Sequence, residues 1–239
     1  MQFSELIDNV TKYLLDVPDD TAALIPVWIN QSVKDAERRH NFRHMERTLS
    51  IVTTPNVREQ ADVPTLYKES RSDPFLIRNN GAVDEIDWAP SHSDMIRQYG
   101  DNPTTDIGSP QFILEVFDEN ENATEFHSYP FPDTQSLYGD GNYRLNLPYY
   151  ALSAPMVNDS DSNFVTNNAE FYVIYRATHY GMLFNRDEER AAVYSTQAEQ
   201  QYGILKRVDK KGRVRRRNEL TISFGANRPS KVPRFRVRN

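Results

Sequence analysis

The sequence predicts an α+β protein. Its N- and C-terminal helices form an antiparallel helical bundle, an antiparallel β-domain is inserted between them, and an extended C-terminal tail follows. Three observations predict this. Apolar residues recur at helical spacing near both ends of the chain, and in the middle the period falls to two. Residues 206–239 carry 13 Lys/Arg against 2 Asp/Glu, a balance of +11, whereas the rest carries 15 against 32, a balance of −17. The expected division is 1–45 and 165–212 for the bundle, 46–164 for the β-rich insertion and 213–239 for the basic tail.

Phe3, Leu6, Ile7, Val10 and Leu14 fall on one helical face, and Pro18 ends that helix. Asp20 or Thr21 can cap the next, which tolerates Pro26 in its first turn. Ile25, Ile29, Val33 and Ala36 make its stripe, and residues 37–42 its charged last turn. The short connection favours an antiparallel pair. From Leu49 and Ile51 onward the alternation is that of strands. Phe75-Leu76-Ile77 and Val83-Asp84-Glu85-Ile86 flank the turn signal Asn79-Asn80-Gly81. Residues 87–111, with three prolines, read as irregular. Residues 112–117 and 124–129 read as partner strands around an acidic loop at 118–122, and 143–147 alternates again. Asn167 or Asn168 can cap a helix from Ala169 to about Asn185. Its face holds Phe171, Ile174, Tyr175, Thr178 and Met182. The acids at 187–189 open a last helix with Ala191, Tyr194, Ala198, Tyr202 and Leu205 as its stripe, ending near Val208. Residues 218–239 read as extended.

The chain has 239 residues and no cysteine, which excludes disulfides, thiolate metal sites and cysteine nucleophiles. Its 13 Tyr, 12 Phe and 2 Trp mark a folded protein with a thin core. No apolar run approaches the roughly 20 residues of a membrane helix. The first residues lack the character of a signal peptide, so we expect a protein made in the cytosol and used there or in a particle assembled there.

No motif points to catalysis, and we expect no enzyme, no cofactor and no metal. His40 and His44 stand at i, i+4 without the glutamate of a zinc-protease motif, and a solvated helix end accounts for them better. His127 and His179 have no local partner pattern, and no nucleophile elbow or phosphate-binding glycine loop occurs. Asp159, Asp161 and Asn163 alternate as in the opening of a calcium loop. The required glycine is replaced by Phe164, although Glu170 stands at the twelfth place. A turn leading into a helix cap is the better reading. Tyr129, Phe131, Tyr138, Tyr143, Tyr149 and Tyr150 could stack bases, but no Lys or Arg alternates with them, which favours sheet packing or a protein interface.

The basic end is the candidate docking element. Its residues are Arg213, Arg215, Arg216, Arg217, Leu220, Ile222, Phe224, Arg228, Arg234, Phe235, Arg236 and Arg238. Arginines at this density can follow a phosphate backbone or pair with carboxylates on a protein. Leu220, Ile222 and Phe224 alternate like a strand. Apolar residues every few positions suit a segment that orders along a protein groove. Nucleic-acid binding through this end is the alternative.

Tyr129-Pro130-Phe131-Pro132-Asp133, Tyr143-Arg144-Leu145, Tyr149-Tyr150, Leu152, Asn158-Asp159, Asn163, the run Glu170 to Ala177 and the run Asp187 to Tyr194 together resemble the head-to-tail adaptor proteins of short-tailed bacteriophages. Ile25-Pro26-Val27-Trp28-Ile29-Asn30 and Arg38-Arg39 fit the same plan, while 55–110 does not match. The resemblance covers about two-thirds of the chain. It implies a structural virion protein assembled in the host cytoplasm, with no membrane partner. Twelve copies would ring the underside of the portal protein, and the C-terminal tail would grip that portal. Tail or nozzle proteins would attach below. DNA would pass at genome ejection through a channel that does not bind it, because an acidic lining repels phosphates.

Overall fold

The computed structural model describes residues 1–14, 19–117, 123–134 and 142–225, with backbone alone at 19–20 and 212–225. Its helices are α1 (Phe3–Leu14), α2 (Asp19–Ala22), α3 (Ile25–Arg39), α4 (His92–Tyr99), α5 (Phe164–Asn168), α6 (Glu170–Phe184) and α7 (Glu188–Gly225). Its strands are β1 (Glu46–Val52), β2 (Glu59–Asp62), β3 (Tyr67–Ser70), β4 (Phe75–Ile77), β5 (Val83–Glu85), β6 (Asp87–Trp88), β7 (Ile107–Gly108), β8 (Phe112–Phe117), β9 (Ala123–Tyr129), β10 (Phe131–Pro132) and β11 (Arg144–Ala151). The chain divides into two compact units, 1–36 with 156–239, and 37–155.

In the first unit α6 is the central helix. It packs on α1 and α7, and α3 reaches it through Asp35 and Trp28. Residues at 3.6 spacing make these contacts: Phe3, Leu6, Val10 and Leu14 of α1 are buried, as are Ile25, Ile29 and Val33 of α3. At Gly181 the packing is close: a Cβ there would stand 2.6 Å from a Leu14 methyl and 3.0 Å from the Trp28 ring. The α1 N-terminus is closed from far away in sequence. Phe3 N–H donates to Asp161 O at 2.9 Å and Ser4 N–H to Asp159 O at 3.2 Å, satisfying two of the helix's orphan donors.

In the second unit β11 is a middle strand of an antiparallel sheet ordered β1-β11-β4-β5, with β3 also paired to β11. A second sheet runs β2-β9-β8-β6, its last pair parallel, and β10 and β7 form a short parallel pair. The two larger sheets share one core of Ile51, Leu76, Ile113, Phe126, Leu145 and Leu147. The β4–β5 hairpin turns at Gly81, whose φ of 81° suits the residue without a Cβ. The loop at 118–122 lies outside the described residues.

Three expectations need correction. The stretch 87–111 is not wholly irregular, because α4 forms between its prolines. Ser91 accepts the Asp94 N–H as N-cap and Gly100 closes the other end at φ 77°. The helical run before α6 starts earlier than Asn167. Asn163 and Thr166 form a capping box on α5, and the chain breaks only at Ala169. Finally, the last helix does not stop near Val208, and residues 213–225 are not extended. Arg213, Arg215, Arg216, Arg217, Glu219 and Leu220 are good helix formers, and Gly212 costs only about 1 kcal/mol. The prolines that would stop a helix come later, at 229 and 233.

Candidate docking site

The site is built on α7, which is about 57 Å long at 1.5 Å per residue. Asp187 opens it, its carboxylate accepting the Arg190 N–H at 3.1 Å. The helix then runs back along α6. Ala191, Ala198, Tyr202 and Leu205 are buried on the shared face. His179 of α6 bonds Ala191 O at 2.9 Å through Nδ1. The Tyr172 and Tyr202 rings lie 5.6 Å apart, and the Tyr13, Tyr175 and Tyr194 rings form a cluster with 5.9–6.2 Å spacings. Helix α6 is itself fixed to α3, since Asp35 accepts from Arg176 Nη2 at 3.2 Å and from the Tyr180 hydroxyl. Burial, then the bond to Asp35, pushes the Tyr180 phenol up to about 12, so it stays a donor.

Tyr172 is in the first turn of α6, so α7 leaves that helix behind soon after Tyr202. Asp209 is the last buried residue of α7 among those described. At 3.6 residues per turn, positions 212, 213, 216, 220 and 223 continue the face that carries Ala198, Tyr202, Leu205 and Asp209. Within the helical unit this face is buried, apolar at Ala198, Tyr202 and Leu205 and charged at Asp209. Beyond it the same face is Gly212, Arg213, Arg216, Leu220 and Ser223 in sequence, with Phe224 at its margin. Of the docking residues expected from the sequence, Arg213, Arg215, Arg216, Arg217, Leu220, Ile222 and Phe224 lie on α7, with only their backbone described. As a helix, 220–224 loses the strand alternation: Leu220 and Phe224 share a face that Ile222 does not. Arg228, Arg234, Phe235, Arg236 and Arg238 lie outside the described residues.

A second stripe of α7 is exposed and apolar, with Val193, Ile204 and Val208 each 41–53% exposed. Sequence reasoning missed it because the stripe is interrupted by Gln197, Gln200 and Gln201.

The other constellations have structural roles. His40 follows the end of α3, and His44 turns its Nε2 to Glu37 at 3.1 Å. His127 Nε2 meets Glu125 at 3.0 Å and His92 Nδ1 meets the Tyr129 hydroxyl. Asp161 Oδ2 accepts the Val157 and Asn158 N–H groups, each at 2.8 Å. Those bonds hold its carboxyl below the usual range. The 158–163 segment is thus a turn that leads into the Asn163 cap. Tyr129, Phe131, Tyr143 and Tyr150 are buried rather than presented to bases, and Tyr138 lies outside the described residues. The cation that partners them is Arg58, distant in sequence and sandwiched 4.4 Å from the Tyr129 ring and 4.2 Å from Phe131. Among the described residues no group of three metal-ligating side chains comes together, and no helix is long and apolar enough to cross a membrane.

The chain is a mixed helix-and-sheet protein with one long helix whose last part is basic in sequence. The family model described as SU10 adaptor protein matches residues 1–220, and the chain belongs to that family of structural phage proteins, consistent with a head-tail adaptor. The match stops at Leu220, within the candidate docking element. No curated protein matches the chain.

Proposed function

We propose that the chain is the connector adaptor of a short-tailed phage. Copies form a ring beneath the portal, twelve by analogy with the adaptors it resembles. The ring grips the portal through residues 213–239, offers a platform to tail or nozzle proteins, and surrounds the channel through which DNA leaves. The observation that carries this reading is the face of α7 that is buried up to Asp209. It continues in sequence as Arg213 and Arg216 spaced with Leu220, with Phe224 at its margin. An Arg-rich face with two apolar anchors suits a carboxylate-lined protein groove, where guanidinium groups pair bidentately and the anchors bury area. The exposed Val193, Ile204 and Val208 stripe supports packing against a neighbouring copy.

The reading predicts a monomer in isolation that assembles on the preformed portal ring. Deleting residues 213–239 should abolish retention by the portal while helical circular dichroism and thermal melting persist. Unchanged retention would defeat the reading, as would a stable dodecamer from the purified protein alone for the assembly order. The basic balance of 206–239 also supports nucleic-acid binding. In that case duplex DNA would shift the protein on a native gel, with affinity falling steeply as salt rises. Portal retention without a DNA shift separates the two.

A further inference from the structure

Asn80-Gly81 is the only Asn-Gly step in the chain. It forms the tip of the β4–β5 hairpin, where Asn79, Asn80, Gly81 and Ala82 are all exposed. Three hydrogen bonds order this tip. Arg78 N–H donates to Ala82 O and Gly81 N–H to Arg78 O, each at 2.9 Å. Ala82 N–H donates to Asn80 Oδ1, also at 2.9 Å. The last of these polarises the Asn80 carboxamide, and it places a donor where an oxyanion would develop if a nucleophile added to Cγ. The nucleophile is the backbone nitrogen of Gly81, one residue on, and its attack on Asn80 Cγ closes a five-membered ring. A side chain on the following residue hinders such a closure. Gly81 has none, and the space its Cβ would take is open for 4 Å around, so solvent reaches the turn.

We propose that Asn80 is a site of spontaneous deamidation in the folded protein. Gly81 N–H gives its proton to hydroxide as the nitrogen bonds to Asn80 Cγ. The tetrahedral carbon then breaks its bond to Nδ2, which takes a proton from water and leaves as ammonia. A succinimide remains. Water adds to one of its two carbonyls and opens the ring. Breaking the bond from Cγ to nitrogen gives aspartate at position 80, and breaking the bond from the main-chain carbonyl carbon gives isoaspartate. One water enters and one ammonia leaves, with no oxidant or reductant. The opposing feature is the Gly81 N–H bond to Arg78 O, which must open before the nitrogen can attack. That bond is at the exposed end of the hairpin, where local opening costs little. Below it the strands stay paired, Ile77 with Val83 and the fully buried Leu76 with Asp84. The tip can therefore open while the sheet holds. Aspartate keeps an oxygen for the Ala82 N–H, whereas isoaspartate lengthens the hairpin connection by one methylene.

Full-length protein would be held in mildly alkaline buffer, sampled over weeks and digested with trypsin. Cleavage after Arg78 and Arg97 isolates residues 79–97, whose asparagines are Asn79 and Asn80 alone. We expect the gain of one mass unit at Asn80 to run about ten-fold ahead of that at Asn79, because only Asn80 is followed by a residue without a Cβ. An isoaspartyl methyltransferase should label the converted fragment, which direct hydrolysis of the carboxamide would not allow. The intact protein should gain negative charge in step and bind an anion exchanger more tightly. Equal conversion at the two asparagines would overturn the proposal, as would a product without isoaspartate. So would a native rate about ten-fold below that of the chain unfolded in guanidinium, since the Gly81 bond to Arg78 would then lock the tip. None of these measurements involves the portal, so the portal reading stands or falls separately.

Discussion

The helical unit and the sheet unit are held together by different means. In the first, α1, α3, α6 and α7 bury apolar side chains at helical spacing, and polar contacts such as Asp35 with Arg176 and Tyr180 sit at the margins, with Asp209 the one buried charged side chain among the described residues of that unit. In the second, charged groups lie inside. Glu37 is fully buried, accepting from Ser153 N–H at 2.8 Å, Ser153 Oγ and His44. Arg58, only 9% exposed, bonds Gly100 O at 3.2 Å and Asp101 at 2.8 Å while lying between two aromatic rings. A unit built on apolar stripes tolerates polar change and suffers from steric change. A unit pinned by buried ions does the reverse, because a lost partner strands a desolvated group.

The largest effect should therefore come from Glu37→Ala. It removes the acceptor for a buried backbone N–H, and we expect a loss of about 3 kcal/mol in chemical denaturation. Glu37→Gln keeps one acceptor and should cost clearly less. Equal losses for the two would mean that shape, not hydrogen bonding, holds this position. The matching steric test in the helical unit is Gly181→Val. With Leu14 and Trp28 already at contact distance, overpacking should cost about 2 kcal/mol. Gly181→Ala should cost less, since better helix propensity returns about 1 kcal/mol. A neutral Gly181→Val would show that α1 can shift away from α6.

The same difference explains what was legible in the sequence. Apolar periodicity is local, so α1, α3, β8, β9, β11 and the stripe of α7 could be read from neighbouring residues. The hairpin at Gly81 was legible because its turn is encoded within three positions. Glu37, by contrast, read as part of a solvated helix end. Its partner Ser153 is 116 residues away, and no local pattern announces it. Arg58 was invisible for the same reason, since the rings it joins lie at 129 and 131. The length of α7 is not legible because residues 209–225 carry basic side chains without a clear apolar stripe, and only the helix propensity of arginine speaks for it. The candidate docking residues stand out by charge and by apolar residues every few positions. Neither tells that Arg213, Arg216 and Leu220 continue the face of Tyr202 and Leu205, which needs the helix to be seen.

A smaller effect is expected at the cap of α5. Asn163→Ala removes the side chain that accepts the Thr166 N–H at 3.0 Å, and caps of this kind are worth about 1 kcal/mol. Because the segment before it supplies the carbonyls that close the N-terminus of α1, faster amide exchange at Phe3 and Ser4 should accompany the loss. If those amides are unaffected, the turn is held by Asp161 alone.

The smallest effect at neutral pH, and the one place where the units should behave alike, concerns two phenols. Tyr180 in the helical unit donates to Asp35, and Tyr143 in the sheet unit donates to Asp133 at 2.7 Å. In each, burial and then the carboxylate bond raise the phenol from 10.0 to about 12. A raised folded value means that the proton is held more tightly in the native state. Each contribution is therefore fully present below pH 10 and is lost as pH rises through about 12. Absorbance near 295 nm should show the exposed tyrosines ionising first and a late component near pH 12. Tyr180→Phe and Tyr143→Phe should each remove part of that component. If only one does, the carboxylate in the other unit is not holding its phenol, and the two units differ even here.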